Sequence, residues 1–303
     1  MSIKIVFMGS PDFSLSTLRA LANAYEVIGV VTQPDRASGR GRALKAPPVK
    51  TLALELGLPV IQPNKLREPE AMNQLRLWSP DLIVVAAFGQ ILKPEVLDLP
   101  RYGCINVHAS LLPRWRGAAP INAAVLAGDE ETGVTIMKMD VGLDTGPMLT
   151  QRTLRIAPDD TAGSLFDKLS TLGADLLIET LPGYLSGEIV PRAQPDEGAT
   201  YAPMLKKEEG LLDFTRSAEE LARRARAFNP WPGAYFEWRG GLLKVHRAHA
   251  ETGNASVGKR LIYEGQPAVG AGSGILVLDE VQPAGKKSMS GKSFLAGARE
   301  WNE

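Results

Sequence analysis

A series of short apolar segments constrains the fold of this chain more than any other feature. KIVFMG (4–9), EVIGVVT (26–32) and DLIVVAAF (81–88) are nearly continuous apolar runs, and stretches with helical spacing separate them. Continuous rather than alternating runs are typical of strands that are buried on both faces of a parallel sheet. CINVH (104–108) and GVTIMKM (133–139) extend the series. The sequence therefore predicts an α/β fold, a Rossmann-like parallel sheet with helices on both faces.

The pattern of apolar residues changes after residue 187. Residues 188–205 contain three prolines and show no clean periodicity. We therefore predict an α/β domain at 1–189, a linker running over the surface at 190–205, and a second domain at 206–303. The second domain contains short apolar runs separated by glycines, which are typical of a small antiparallel barrel or sandwich.

Several kinds of protein are disfavoured by the sequence. The first glycine turn, MGSPDF (8–13), lacks the GxGxxG pattern, and the chain has no Walker motif, which argues against a nicotinamide or NTP domain. The single cysteine, Cys104, excludes an internal disulfide and a cysteine-rich zinc cage. No apolar run approaches a membrane span, and the N-terminus is typical of a first strand rather than of a secretion signal. We expect a cytoplasmic enzyme or binding protein without membrane association.

Polar residues cluster where the predicted strands end, at the edge where ligands gather in open α/β sheets. Asn106 and His108 are two apart in one strand, so their side chains share a face. Asn can stabilise a developing oxyanion, and His is the usual general base near neutral pH. The alternative for this pair is structural: a satisfied polar pair that caps a strand end.

Asp144 is the third candidate, because it lies between Gly142 and Gly146 just beyond the predicted strand 133–139. It is either a turn residue, as Asp often is beside glycines, or a carboxylate that orients His108. An Asn–His–Asp set suits acyl transfer to an amine, which must lose a proton while the carbonyl oxygen gains charge. No Ser or Cys is placed as an obvious nucleophile, so direct transfer is favoured over an acyl-enzyme.

Six segments carry a resemblance to a known family. They are GSPDF, TQPDR with the basic loop after it, INVHASLLPRWRGAAPI, MDVGLDTGPML, FNPWPGAY and QPAGKKSM. In this order and spacing they resemble the folate-dependent formyltransferase family, and within it the branch that formylates methionyl initiator tRNA, along essentially the whole chain. The resemblance implies transfer of a formyl group from 10-formyltetrahydrofolate, a co-substrate, to the free α-amino group of methionyl initiator tRNA for translation initiation, without a metal.

The resemblance also implies a role for each candidate residue. Asn106 would hold the formyl oxygen and stabilise a tetrahedral intermediate, and His108 would hydrogen-bond the same centre and move protons. Asp144 would orient His108 and assist deprotonation through a water. Which of His108 and Asp144 accepts the proton stays open.

The donor site is implied to involve a turn and a loop. A proline-stiffened apolar turn is suited to a flat pterin, although core packing is the alternative for its two leucines. The implied folate-binding residues are Ser110, Leu111, Leu112 and Pro113 in the turn, with Phe88, Gly89 and Ile91 in the loop.

The acceptor site is implied to be basic. The family's equivalent of the loop after TQPDR clasps the tRNA acceptor stem, and its C-terminal domain is an OB-like β-barrel that lies along the tRNA. The implied tRNA-binding residues are Arg36, Arg40, Arg42 and Lys45 in the loop, with Lys206 and Lys207 in the second domain. Arg223, Arg224, Lys286 and Lys287 of the second domain are further candidates for phosphate contacts. For all of them a solvated surface is the alternative.

Three other functions compete with this interpretation. One is a folate formyltransferase that acts on glycinamide ribonucleotide or an amino sugar nucleotide, which would lack the second domain and the arginine-rich loop. Another is a formyltetrahydrofolate hydrolase, which would transfer the formyl group to water from the same centre. The third is a non-catalytic tRNA-binding protein, against which the complete Asn–His–Asp set argues. We expect the protein to be a monomer.

Overall fold

The computed structural model of the protein describes residues 2–38 and 43–302. The chain divides into two compact units. The first comprises residues 1–120, 131–155 and 166–202, and the second comprises residues 121–130, 156–165 and 203–303. This division differs from the predicted limits, because residues 121–130 and 156–165, which the prediction places in the first domain, belong to the second unit. Asn122 illustrates the reason, since its side-chain amide donates to the carbonyl of Ala227 at 2.7 Å.

The first unit is built on a seven-stranded sheet in the order β10-β9-β7-β6-β1-β2-β5. The elements up to residue 202 are β1 (Lys4–Gly9), α1 (Phe13–Ala24), β2 (Glu26–Val31), β3 (Arg36–Ser38), β4 (Ala43–Lys45), α2 (Pro48–Glu55), β5 (Val60–Ile61), α3 (Pro69–Trp78), β6 (Leu82–Ala86), α4 (Pro94–Leu97), β7 (Cys104–His108), β8 (Arg116–Gly117), α5 (Pro120–Ala127), β9 (Glu131–Lys138), β10 (Met148–Arg155), α6 (Ala162–Ser186) and β11 (Tyr201–Ala202). Strands β5, β2, β1, β6 and β7 are parallel, which confirms the predicted Rossmann-like α/β fold.

Strand β9 departs from the parallel pattern. It runs antiparallel to both β7 and β10, so its carboxyl end is at the opposite edge of the sheet from that of β7. The expectation that the end of this strand joins the others at one edge is therefore wrong for β9 itself. The chain folds back after it, with the Lys138 amide donating to the Pro147 carbonyl at 2.8 Å. This return carries the following loop back toward β7.

The burial of the central strands explains why they are continuous apolar runs in the sequence. Ile5, Val6, Phe7 and Met8 in β1 have no solvent exposure, as expected of a strand covered on both faces. Gly9 ends the strand, and a Cβ there would lie 2.8 Å from the Ala86 carbonyl oxygen. Strands β2 and β6 flank β1 on opposite sides, so the strand order reverses at β1 and leaves a crevice beside the carboxyl ends.

The second unit is antiparallel. Its elements after residue 202 are a 3₁₀ turn (Lys207–Gly210), α7 (Ala218–Ala227), β12 (Ala234–Trp238), β13 (Gly241–Glu251), β14 (Arg260–Tyr263), β15 (Gln266–Gly270), β16 (Ile275–Pro283), β17 (Met289–Ser290) and α8 (Gly291–Gly297). The described strands pair in the order β12-β13-β16-β15-β14, and β17 joins β16. Phe236, Trp238, Phe294 and Trp301 pack against one another in its core. A small antiparallel domain therefore follows the α/β domain, as predicted.

Helix α6 is the one described element long enough to raise the question of a membrane span, with 25 residues over Ala162–Ser186. It carries charged residues along its length, among them Asp167, Lys168, Asp175 and Glu179. Across residues 2–38 and 43–302, no helix is both long enough and apolar enough to cross a bilayer.

Cys104 provides a chemical test of the buried sheet. The residue begins β7 and is 1% exposed, and burial raises the pKa of its thiol to about 12. An exposed cysteine has a pKa of about 8.5 and reacts with thiol reagents as the thiolate. We expect the native protein to react very slowly with a colorimetric disulfide reagent at pH 8, and the urea-unfolded protein to release one equivalent of chromophore at once. Rapid native labelling would contradict this arrangement of β7.

Candidate active site

Strand β7 brings Asn106 and His108 to one place. The residues are 9% and 5% exposed, and the intervening Val107 is buried in the sheet. Their common orientation is evident from a common neighbour, the Asp144 carboxylate. Asn106 Nδ2 lies 3.4 Å from Asp144 Oδ1, and His108 Nδ1 lies 3.7 Å from Asp144 Oδ2. Asn106 and His108, which are neighbours on one strand, therefore both face the carboxylate of Asp144, a residue that is distant from them in the sequence.

The loop that carries Asp144 is braced from within. Asp140 Oδ1 accepts hydrogen bonds from the Gly142 amide at 3.0 Å and from the Thr145 hydroxyl at 2.8 Å. Asp144 itself has a left-handed backbone, with φ of 52°. A Cβ at Gly146 would lie 1.9 Å from the Lys138 carbonyl oxygen, so the loop requires glycine at that position. Asp140 is thus a structural residue of this loop.

A backbone amide supplies the closest contact to the Asp144 side chain. The Gly117 N–H donates to Asp144 Oδ2 at 2.8 Å, within normal hydrogen-bond range, whereas the His108 contact of 3.7 Å is longer than a hydrogen bond. Gly117 has φ of 114°, and a Cβ there would lie 2.6 Å from the Ala202 carbonyl oxygen. The position therefore requires glycine for two independent reasons.

The second nitrogen of His108 has a defined partner. Nε2 lies 3.0 Å from the Trp115 carbonyl oxygen, which can only accept, so Nε2 must carry a hydrogen. In the neutral ring, Nδ1 is then the unprotonated nitrogen and faces Asp144. In the doubly protonated ring, Nδ1 presents a proton toward the carboxylate. The imidazole is therefore held so that any proton change occurs on the side of Asp144.

The SLLP turn after β7 is held by two residues of neighbouring strands, Thr135 and Gln151. The Thr135 hydroxyl donates to the Ser110 carbonyl at 2.7 Å and accepts from the Leu112 amide at 3.1 Å. Gln151 Nε2 donates to the Leu112 carbonyl at 2.8 Å and to the Thr135 hydroxyl at 2.9 Å. Leu112 is buried, which favours the packing role for this leucine. The sequence-based candidates did not include Thr135, whose signal is a polar residue inside an apolar strand.

The predicted folate-binding residues of loop 87–92 differ in their exposure to solvent. Phe88 is 2% exposed in the core, and its carbonyl accepts a hydrogen bond from Gln33 Nε2 at 3.1 Å. Gly89 has a left-handed φ of 78°, and Ile91 is 71% exposed. Ile91 lines a cavity of about 510 Å³ together with basic side chains, among them Lys65, Arg67, Arg76 and Lys93. Asn106, His108 and Asp144 do not line it.

The predicted basic loop is partly described. Arg36 and Lys45 are exposed and lie directly opposite each other across the β3–β4 pair. Arg36 Nη2 also donates to Gln33 Oε1 at 3.2 Å. Arg40 and Arg42 lie outside the described residues. Two positive residues therefore lie side by side at the base of the β3–β4 pair, where β3 begins and β4 ends.

The basic residues of the second unit differ in their surroundings. Lys206 and Lys207 are exposed. The Arg224 guanidinium donates to the Glu209 carbonyl at 2.9 Å and lies 5.0 Å from the Phe228 ring centroid, and burial lowers its pKa. The Arg224 guanidinium therefore makes contacts inside the second unit, and we no longer count Arg224 among the exposed residues that could bind tRNA.

Residues of the predicted linker take part in the site, contrary to the expectation of a segment that simply crosses the surface. Strand β11 pairs in parallel with β8, and the Arg116 amide donates to the Thr200 carbonyl at 2.9 Å. Gln194 Nε2 donates to the carbonyls of Asp144 and Gly146, each at 2.8 Å. No sequence signal marked these contacts, because they join segments about 50–85 residues apart in a proline-rich stretch without periodicity.

Comparison with known proteins gives a consistent result over both units. A family model described as formyl transferase matches residues 3–181, and one described as formyl transferase, C-terminal domain, matches residues 204–299. The chain is 52% identical over 296 residues to the methionyl-tRNA formyltransferase of Myxococcus xanthus, covering 97% of this chain and 95% of the relative. It is 51% identical over 300 residues to the methionyl-tRNA formyltransferase of Geobacter sulfurreducens, covering 98% and 94%.

A solved structure has the same fold. WlaRD, described as a sugar 3N-formyl transferase and crystallised in the presence of dTDP and 5-N-formyl-THF, superposes with a TM-score of 0.69. The match covers 95% of this chain and 100% of WlaRD at 17% sequence identity. At that identity the likeness extends to the fold alone.

The two constraints on Gly117 can be separated by mutation. Gly117→Ala introduces both a left-handed alanine and a clash with the Ala202 carbonyl, whereas Gly187→Ala, with φ of 85° and open space around it, introduces the strain alone. A left-handed non-glycine residue costs about 1–2 kcal/mol. We expect Gly117→Ala to lower the free energy of unfolding by clearly more than Gly187→Ala, measured by urea unfolding followed by circular dichroism. If both substitutions lowered the free energy of unfolding equally, the backbone at the β8–β11 contact would be able to move apart without loss of stability.

Proposed function

Because this chain belongs to the formyl transferase family along both of its units, we propose that Asn106, His108 and Asp144 form the centre at which it formylates methionyl initiator tRNA. The enzyme is a formyltransferase of protein biosynthesis. The observation that carries the assignment of the centre is the convergence of an amide and an imidazole on one shielded carboxylate.

Asn106 is proposed to hold the formyl oxygen. Its side-chain amide has two N–H groups, and one of them faces Asp144 at 3.4 Å. The second N–H is suited to the oxygen that becomes negative when the amine attacks the formyl carbon. A donor fixed in a shielded site stabilises such an oxyanion without having to reorganise during the reaction.

His108 and Asp144 are proposed to handle the protons. The methionyl nitrogen forms a bond to the formyl carbon and gives up a proton to this pair. When the tetrahedral intermediate collapses, the bond from carbon to the donor nitrogen breaks and that nitrogen takes up a proton. The His108 ring, fixed by Trp115 on one side and facing Asp144 on the other, is suited to carry this exchange. No covalent enzyme intermediate is needed.

The formyl donor is proposed to be 10-formyltetrahydrofolate. The resemblance to folate-dependent formyltransferases implies a folate co-substrate, and the structural neighbour WlaRD was crystallised in the presence of a formylated folate. The proposed contacts are the SLLP turn, Ser110–Pro113, and the backbone of loop 87–92 with the exposed Ile91. The hydrogen bonds of Thr135 and Gln151 hold the turn firmly, as a preformed ligand surface requires.

The acceptor tRNA is proposed to contact basic side chains of both units. Arg36 and Lys45 lie together at the described end of the β3–β4 hairpin, and Arg40 and Arg42 belong to the segment between its strands. The exposed Lys206 and Lys207 would add phosphate contacts at the start of the second domain, which we propose as a tRNA-binding domain. We further propose that the enzyme acts as a monomer in the cytoplasm.

The catalytic assignment is tested by transfer of labelled formyl groups. We expect Asn106→Ala and His108→Ala each to lower the rate of transfer to methionyl initiator tRNA by about 100-fold or more, because each removes a group that acts on the reacting atoms. Binding of the tRNA should be nearly unchanged. Asn73→Ala, at an exposed position of α3, is the control for loss of a polar side chain.

The same assay separates the competing reactions. Methionyl elongator tRNA, free methionine and water serve as alternative acceptors. Label on the charged initiator tRNA alone supports the proposal, whereas label released to water would indicate a hydrolase. Normal turnover in either variant would show that the proposed centre is wrong.

The basic loop is tested by salt dependence. We expect the double substitution Arg40→Gln, Arg42→Gln to raise the KM for tRNA and to flatten the plot of log KM against log salt, by about 0.7–0.9 for each phosphate that no longer meets an arginine. Arg19→Gln, at an exposed position of α1, is the control for removal of a positive charge. An unchanged KM at every salt concentration would remove the loop from tRNA binding.

A further inference from the structure

Gln194, a residue without a role in the proposed mechanism, makes hydrogen bonds to the loop that carries Asp144. Its side-chain nitrogen Nε2 lies 2.8 Å from the Asp144 carbonyl oxygen and 2.8 Å from the Gly146 carbonyl oxygen. One amide group thus uses both of its hydrogens on two backbone carbonyls of the same loop. These carbonyls belong to the residue that carries the carboxylate and to the glycine two positions after it.

The other end of the Gln194 side chain is fixed by Arg116. Arg116 Nε donates to Gln194 Oε1 at 3.0 Å, and Arg116 is only 6% exposed. The guanidinium can only donate and the two carbonyls can only accept, so the amide has one satisfactory orientation. A glutamate of the same size would offer oxygen to the two carbonyls and could not replace the glutamine.

Few buried apolar contacts hold the loop in place just before Asp144. Val141 is 70% exposed and Leu143 is 54% exposed, so the apolar residues before Asp144 contribute little. Asp144 also has a left-handed backbone, which side chains rarely adopt without support. The backbone contacts of Gln194 are therefore well placed to determine where the carboxylate lies.

Both attachments of Asp144 lead to the same short strand. Gly117 in β8 donates to the carboxylate at 2.8 Å, and its neighbour Arg116 holds Gln194, which holds the backbone. Strand β8 is in turn held by β11, with the Ala118 amide donating to the Ala202 carbonyl at 2.8 Å. One anchored element thus fixes Asp144 at its side chain and at its main chain.

We propose that Gln194 is a positioning residue for formyl transfer, which holds the Asp144 main chain so that the carboxylate faces His108 and Asn106, with Arg116 fixing the orientation of the Gln194 amide. This inference rests on the proposed role of Asp144. Gln194 touches no reacting atom in this scheme and acts through Asp144 alone. Its removal should therefore affect the chemical step more than substrate binding.

The first test compares kinetic constants. Gln194→Met keeps the length of the side chain and removes both donors, and Gln194→Glu keeps the shape and replaces the donors by oxygen. We expect each to lower kcat by about 10- to 100-fold, the range for a misplaced catalytic group, with the KM for tRNA and folate within about 2-fold of wild type. Glu197→Gln, at an exposed position of the same segment, should have wild-type kcat. Wild-type kcat in Gln194→Met and Gln194→Glu would overturn the proposal.

The second test is a double-mutant cycle with Asp144→Asn, measured in single turnovers, with thermal melting to verify that each variant is folded. If Gln194 acts through Asp144, Gln194→Met should cost about 2-fold or less in the Asp144→Asn background. A full additional loss there, or a loss of kcat explained by unfolded protein, would overturn the positioning role. Wild-type activity of Asp144→Asn alone would instead refute the role proposed for Asp144, so the two failures are distinguishable.

Discussion

The candidate active site depends on satisfying one shielded carboxylate. The Asp144 side chain is 15% exposed, and a carboxylate in such surroundings is unfavourable unless donors meet it. The Gly117 amide donates at 2.8 Å and the Asn106 amide at 3.4 Å, and His108 Nδ1 lies 3.7 Å from the carboxylate. The glycines at 117 and 146, the left-handed backbone at Asp144 and the Asp140 brace all serve this one arrangement. The geometry of the proposed centre therefore depends directly on the local backbone geometry.

The sheet determines which neighbours the site can have. Parallel strands bring β7 to the edge where ligands bind, and antiparallel β9 beside it places Thr135 opposite His108. Strand β9 is also antiparallel to β10, so the chain between these two strands returns by a short loop, which carries Asp144, and needs no crossover connection. The same strand pair thus supports the turn proposed to face the donor and the loop that carries the carboxylate.

The sequence was sufficient for some of these features and not for others. Buried strands such as β1 and β6 give long apolar runs, and the two-residue spacing of Asn106 and His108 indicates a shared face whatever the neighbours are. Strand direction is not encoded in an apolar run, so the reversal of β9 could not be predicted. Thr135, Gln151 and Gln194 act through hydrogen bonds between distant segments, and such contacts leave no local pattern. The resemblance supplied the residues that we propose to react, while the structure showed which residues hold them in place.

The pairing of β11 with β8 has a consequence for how this protein can be divided. Connections between domains are usually the safest places to cut, extend or exchange a chain. Here the connection from residue 192 to residue 202 is hydrogen-bonded to the segments of the candidate site, so a fragment ending near residue 190 would lose part of that site. A chimaera that keeps the catalytic unit intact has to be joined after Ala202. Natural recombination with other C-terminal domains would also have to occur after Ala202. The proline-rich stretch would therefore be inherited together with the first unit.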